Sequence, residues 1–317
     1  MSGSRGRAAW SPYSAVFSDS ANDSIVRDTG QIVGTNSGTG VLIARFSINS
    51  SVTAADHYAF DWAFDRVTLR YDGAIDKMHL VCRNSSGVSM VSHLSPAAHF
   101  SKDTIYSIGF SFNQNFSWTG QSYDTSNPCQ VTITGHGMSD GELLYIKGST
   151  GTDIDGQYNI IVVDANTIEL IGVDNSAGTG GTCSVMARIC AVVDGEIMNW
   201  EPSVFVPYSA GTNEVDWDAS QQHCVGADND GSAPFWHGCL GPLAVDDGVL
   251  DLNDATIREN IWDSDGNLKD PGPDGSNWFG FQPLLLFQHP AKDFETNTGS
   301  DSGTWNAPTV QLTDCTL

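Results

Sequence analysis

The chain has 317 residues, and its 38 acidic against 14 basic side chains leave a formal charge of −24. A field of that sign repels polyphosphates and anionic membrane surfaces, which argues against a nucleic-acid partner. The acids are 31 Asp and 7 Glu, and with 33 Gly they favour turns and caps over helices. No run of 18 apolar residues occurs, so no membrane insertion is expected. "MSGSRGRAAWSPYS" at the start lacks an apolar stretch behind its basic residues, so no secretory signal is expected either. The 7 cysteines are an odd number with no CxxC, and most are expected to be reduced and buried as small apolar residues.

In chain order, "GVLIARFSI" (40–48) reads as a strand, followed by "YAFDWAFD" (58–65). There Tyr58, Phe60, Trp62 and Phe64 share one face and Asp61 and Asp65 the other, which places both carboxylates on a solvated face. "VTLRYDG" (67–73), "MHLVCR" (78–83) and "IYSIGFSF" (105–112) continue the pattern, with Asp-Gly turn signals. "FSWTGQSYDTSNP" then reads as a connector. Beyond it "QVTITG", "ELLYIKG", "QYNIIVV" and "TIELIG" lie between Cys129 and Cys183 as short strands of a separate small β-module. "NSAGTGGT" (175–182) closes that module, and "RICAVVDG" (188–195) returns to the outer domain. The outer domain is thus expected to be discontinuous, 1–126 and 186–317, with 127–185 inserted. Residues 105–112 and 188–195 would be neighbouring strands, and Cys129 and Cys183 would flank the stem, either crosslinked or reduced. One helix stands out in "LDLNDATIRENIWDSDG". Asn253 or Asp254 caps it, Ile257 and Ile261 share a face, and the Asp-Gly at 265–266 ends it. The fold class is all-β: a two-sheet antiparallel sandwich with one short helix and a small inserted β-barrel or β-roll.

From residue 236 the sequence reads "WHGCLGPLAVDDGVLDLNDATIRENIWDSDGNLKDPGPDGSNWFGFQPLLLF". This resembles the C-terminal half of concanavalin A-like, laminin-G-like jelly-roll domains in proteins of tailed bacteriophages. The strand Gly238–Val245, the helix core Leu252–Trp262, the turn Asp265–Ser276 and the closing strand Pro283–Phe287 carry the match. Phe294, Asn297 and Gly299 extend it, over roughly 236–312 in all. Trp262 in place of Phe, and "NWFGFQP" in place of a Pro/Thr/Gly stretch, depart from the pattern, and each can put an aromatic on the surface. The insert resembles small β-modules of phage tail and fibre proteins through Val131, His136, Gly137, Gly141, Gly148, Tyr158 and Leu170. In that reading "HGMSDGE" is a turn between two strands, and His136 and Asp140 are structural.

No GxSxG, HExxH or GxxxxGK[ST] occurs, so no enzyme is expected. Two Asp-rich loops, with Asp263, Asp265 and Asp270 in one and Asp228 and Asp230 in the other, are spaced for calcium, the only cofactor suggested. Neither is a complete EF-hand loop, and the simpler reading is an Asx-rich turn. The resemblance makes carbohydrate the expected ligand. Trp118, Tyr123, Trp217, Trp278 and Trp305, in polar loop contexts, are then the candidate glycan-binding residues. Together these imply a virion structural protein on a phage exterior (tail fibre, spike or capsid decoration) that adheres to host-surface polysaccharide. Its partners would be other virion proteins and its own copies as a homo-oligomer. The alternatives are a purely architectural subunit and a glycan-cleaving tailspike.

Overall fold

The computed structural model describes residues 15–17, 25–27, 34–62, 65–187, 189–198, 201–206, 209–219, 223–227, 235–288, 297–301 and 305–306. The first stretch holds β1 (Ala15–Phe17), β2 (Ile25–Arg27), β3 (Thr39–Ser47), β4 (Asp56–Trp62), β5 (Val67–Asp72), β6 (Lys77–Arg83), β7 (Ser89–Leu94) and β8 (Ile105–Asn113). Next come β9 (Ser117–Tyr123), β10 (Gln130–Thr132), β11 (Leu143–Lys147), β12 (Gly156–Asp164), β13 (Thr167–Leu170) and β14 (Gly181–Ala187). After them lie β15 (Cys190–Val193), β16 (Glu196–Met198), β17 (Glu201–Phe205), β18 (His223–Val225) and β19 (Gly238–Asp246). Two helices, α1 (Ala255–Ile261) and α2 (Ser276–Phe279), precede β20 (Leu285–Phe287) and β21 (Trp305–Asn306).

The strands form two antiparallel sheets and a closed barrel. A seven-stranded sheet runs β1-β19-β3-β8-β15-β16 with β20 beside β19, and an eight-stranded sheet runs β17-β7-β6-β5-β4-β18-β2-β21. They face each other across one core, to which Leu42, Phe46, Phe110 and Leu243 come from the first sheet and Phe60, Trp62, Leu69 and Leu80 from the second. The architecture is therefore all-β, a two-sheet sandwich.

The short helix expected to pack over one end or face of the sandwich covers the seven-stranded sheet, and α2 joins it in a third layer. Val41, Ile43, Cys190, Val192 and Ala244 point out of the seven-stranded sheet and pack under Leu252, Ile261, Trp262, Trp278 and Phe279. Both faces of β3 are consequently buried, which is why "GVLIARFSI" is a nearly unbroken apolar run. Asp254 caps α1, accepting the Thr256 N–H at 2.8 Å. The helix stops at Ile261, short of the Asp-Gly, because Trp262 turns extended and its indole donates to Ser107 Oγ at 2.8 Å. Trp262 is thus buried, and the expected turn, 265–276, leads into the short helix α2, which takes up the start of "NWFGFQP". The aromatic that does reach solvent here is Phe281, 41% exposed.

The "YAFDWAFD" strand also departs from strict alternation. A register shift between Tyr58 and Phe60 pairs Tyr58 with Arg70 on the outward face, while Phe60 and Trp62 stay inward. Asp61 is fully buried instead of solvated, and its Oδ1 accepts the Asp65 N–H at 2.8 Å.

The barrel closes in the order β10-β13-β12-β11-β14-β9, leaving no free sheet edge. Its strands span Ser117–Ala187, so part of the supposed connector is β9. Val131, Ile146, Ile160, Ile168, Leu170 and Val185 fill it. A core this small gives limited stability alone, and Met186 and Tyr145 seat the barrel on the sandwich core. β8 and β15 pair antiparallel, Val193 opposite Ile108 and Cys190 opposite Ser111, so the chain leaves and re-enters the sandwich between adjacent strands.

Cys129 and Cys183 are free buried thiols. Cys183 sits opposite Gln121 on one side of β9, whereas Cys129 precedes β10 on the other side. Burial and then the nearby Cys129 push Cys183 up to about 12, and burial and then Asp124 push Cys129 up to about 11, so both are inert at neutral pH. Cys82, Cys190 and Cys224 are likewise free and buried, as expected for most of the cysteines, whereas Cys239 is disulfide-bonded.

Candidate functional site

The insertion places the barrel turn 137–142 against the start of α1, and a cleft of about 610 Å³ lies between them. Its barrel wall is Gly137, Ser139, Asp140, Gly141 and Glu142, and its sandwich wall is Ile197, Asp251, Asn253, Asp254, Ala255 and Arg258. A smaller hollow of about 190 Å³, lined by Asp194, Glu196, Glu259 and Asp263 among others, shares Ala255 and Arg258 with it. This groove is acid-rimmed, with one guanidinium at its middle.

Each carboxylate in the cleft already holds a backbone amide. Asp140 Oδ1 accepts from Val162 at 2.6 Å and Glu142 Oε1 from Ser139 at 3.0 Å. Asp251 Oδ1 accepts from Asn253 at 3.1 Å and Asp254 Oδ1 from Thr256 at 2.8 Å. Arg258 is tied down too, donating through Nη1 to the Leu252 and Asn253 carbonyls at 2.7 Å each. These groups are turn and cap pins presented on rigid backbone. Their remaining lone pairs suit hydrogen-bonding to a polar ligand, and no aromatic lines the cleft to stack on one.

His136 stands behind this wall, 4% exposed. Its Nδ1 accepts the Met138 N–H at 3.0 Å, so Nε2 carries the proton and donates to the Asp164 carbonyl at 2.8 Å. Both nitrogens are consumed by the turn, and the positive φ of Gly137 and Gly141 completes it. His136→Ala should cost the barrel about 1–3 kcal/mol by orphaning that amide and carbonyl, seen as a lower thermal midpoint.

The aromatics expected to bind glycan are not brought together. Trp217 and Trp278 are each 1% exposed and Tyr123 is 5% exposed, so none offers a face to a dissolved sugar. Trp217 belongs to the sandwich core, Trp278 to the layer under α1 and α2, and Tyr123 to the barrel core. Trp118 and Trp305 are half-buried, the first against the barrel core and the second against the sandwich core. Loop-like neighbours had suggested surface positions, but the polar atoms of Trp278 and Tyr123 are held by backbone carbonyls. Trp278 Nε1 donates to the Lys269 carbonyl at 2.9 Å, and Tyr123 OH donates to the Thr152 carbonyl at 2.9 Å.

The proposed calcium residues do not assemble either. Asp263 Oδ1 accepts the amides of Asp265 and Asn267 at 2.9 Å each, and Asp270 Oδ1 accepts that of Gly272 at 2.8 Å. Partial burial would raise the Asp263 carboxyl, but the amides of Asn267 and Asp265 outweigh it and hold the group below the usual carboxylate range. This is an Asx turn. Asp228 and Asp230 lie outside the described residues. Among the described residues no group of three or more His, Cys, Asp or Glu side chains is arranged to hold a metal ion.

One constellation on the outward face of the eight-stranded sheet imitates hydrolase chemistry and was missed in the sequence. His79 Nε2 lies 2.8 Å from Ser92 Oγ, and Arg70 Nη2 lies 3.3 Å from His79 Nδ1. A guanidinium only donates, so Nδ1 accepts, and the proton sits on Nε2, facing the serine. A general base needs the opposite tautomer, with a carboxylate on Nδ1–H and a bare Nε2. Burial and then Arg70 push His79 down to about 4, so the arrangement does not activate Ser92. Only strand register could have revealed this cluster, because its members come from three strands.

The sequence matches no family model and no curated protein sequence. Among solved structures the chain is similar to a native heptameric SAP-like pentraxin from Limulus polyphemus. The identity is 9% and the TM-score 0.35, over 75% of this chain and 82% of that one. At that level no residue or activity is carried across.

Proposed function

We infer that the protein is a structural subunit on the exterior of a tailed-phage particle, a fibre, spike or decoration component that works by surface contact and catalyses nothing. The reading starts from the phage resemblance of "LGPLAV" and of the barrel turn "HGMSDGE". One observation favours the architectural version over the adhesive one. Trp217, Trp278 and Tyr123 are buried, so the loop aromatics that sugar stacking requires hold the cores together instead. The architectural version is therefore the better supported, with other virion proteins and further copies of the chain as partners.

Host-polysaccharide recognition keeps one specific support, the cleft of about 610 Å³ whose carboxylate oxygens can accept sugar hydroxyls. The two readings separate in one experiment. Purified protein is added to host cells, with and without soluble host polysaccharide and EDTA, and separately to particles assembled without it. The expected result is uptake onto particles and no competable binding to cells. Competable cell binding would make the protein an adhesin, and its loss in EDTA would bring a cation into that binding.

A further inference from the structure

Within the eight-stranded sheet, β7 carries a histidine where the sandwich core calls for an apolar residue. His93 is 2% exposed, packs edge-on against Phe110 with centroids 6.0 Å apart, and has no hydrogen-bond partner at Nδ1 or Nε2. Leu80 stands opposite it on β6. On its other side is the edge strand β17, which among the described residues pairs only with β7. The residue of β17 opposite His93 is Pro202, which has no N–H to give the ladder, and the register slips immediately afterwards, between Pro202 and Val204. A buried ionisable ring and the weakest ladder position of an edge strand therefore coincide.

We propose that the β7–β17 edge of the eight-stranded sheet is an acid-opened latch with His93 as its trigger. A protonated imidazolium between Leu80 and Phe110 would be a charge without a counter-ion. From β6 the nearest titratable group is His79, itself facing Arg70, Arg83 and Asp72, so a neighbouring positive charge opposes protonation further. The facing strand β8 contributes Phe110, with Ile108 and Phe112 beside it and no charge on the core side. On β17, Glu201 stands opposite Leu94, one position along from His93.

Burial, and then His79, push His93 down to about 3 from the ordinary 6.5. With the folded value depressed, the opened strand takes up the proton first. Opening is therefore unaffected above pH 6.5, is favoured as pH falls below it, and levels off near 3. At pH 5 the open form should gain roughly 30-fold over its population at pH 8. The opening would detach β17 and expose Met90 and Val91, while the distant barrel stays closed.

Amide hydrogen exchange of the full chain at pH 8 and pH 5, normalised to unstructured-peptide chemistry, tests this. The amides of β7 and β17 should lose protection by roughly 30-fold at pH 5 while those of β11 and β12 do not. His93→Leu should abolish the difference. Equal loss in His93→Leu, or no loss in the wild type, overturns the proposal. If His93→Leu does not fold, the ring resonances of the wild type decide. His93 should remain neutral in the folded protein at pH 5, and a folded-state titration near 6.5 overturns the trigger.

Discussion

Trp217→Ala is expected to destabilise the sandwich instead of weakening ligand binding. Trp217 is a plug between the two sheets: Nε1 donates to the Thr39 carbonyl at 2.9 Å, on the seven-stranded side. Its ring meets Trp62 of the opposite sheet edge-on at 5.3 Å and lies parallel to Phe112 at 6.5 Å. Gly40 makes room for it, since a Cβ there would stand 2.4 Å from the indole. Deleting a buried Trp costs about 3–5 kcal/mol. For a chain of this size the melting temperature should fall by roughly 10 °C. Gly40→Ala should lower it as well, from the opposite cause, by overpacking. Calorimetry on both variants checks the pair. If Trp217→Ala kept the wild-type melting temperature yet lost binding to a saccharide, the indole would be a ligand platform after all.

Asp301→Ala is expected to have a comparable effect through electrostatics. Arg27 and Asp301 form an ion pair at 3.1 Å with side chains only 7% and 1% exposed. Arg27 belongs to β2 in the eight-stranded sheet, whereas the Asp301 N–H donates to the Leu284 carbonyl beside β20 of the other sheet. Trp305 Nε1 adds a contact to Asp301 Oδ2 at 3.3 Å. The pair thus clamps the last strands across the sandwich. Removing Asp301 takes its carboxylate away from a buried guanidinium, and breaking a buried pair in this way costs about 3–5 kcal/mol. The denaturant midpoint should fall accordingly, and Asp301→Asn, which keeps the shape and a hydrogen-bond acceptor, should lose less. An unchanged midpoint for Asp301→Ala would mean that Arg27 finds water or another acceptor when the carboxylate is gone.

Trp217 and Trp278 show why local context is a weak guide to exposure. Trp217 sits in "EVDWDAS" and Trp278 in "GSNWFG", polar stretches that resemble exposed loops. In the first, Val215 and Asp216 are buried beside the indole, and in the second Phe279 is buried with Trp278 on the short α2. Two or three inward side chains are too few to set up a period, so no pattern in the chain marks them. His93 is the reverse case: it keeps its strand's inward alternation with Val91 and yet is ionisable.

What the sequence determined alone is what short-range chemistry controls. Period-two alternation marked most long strands, Asp254 marked the start of α1, and Gly and Asp marked the turns, His136 and Asp140 among them. Those signals depend on residues a few positions apart, where propensity and turn geometry act. Tertiary structure alone decided the layer of α1 and α2 over the seven-stranded sheet, the bulge that turned Tyr58 outward, and the burial of Asp61. It also joined the barrel turn to the start of α1 as one cleft, from positions more than a hundred residues apart. The physical reason is that burial is a property of what covers a residue, and the covering chain arrives from elsewhere in the sequence.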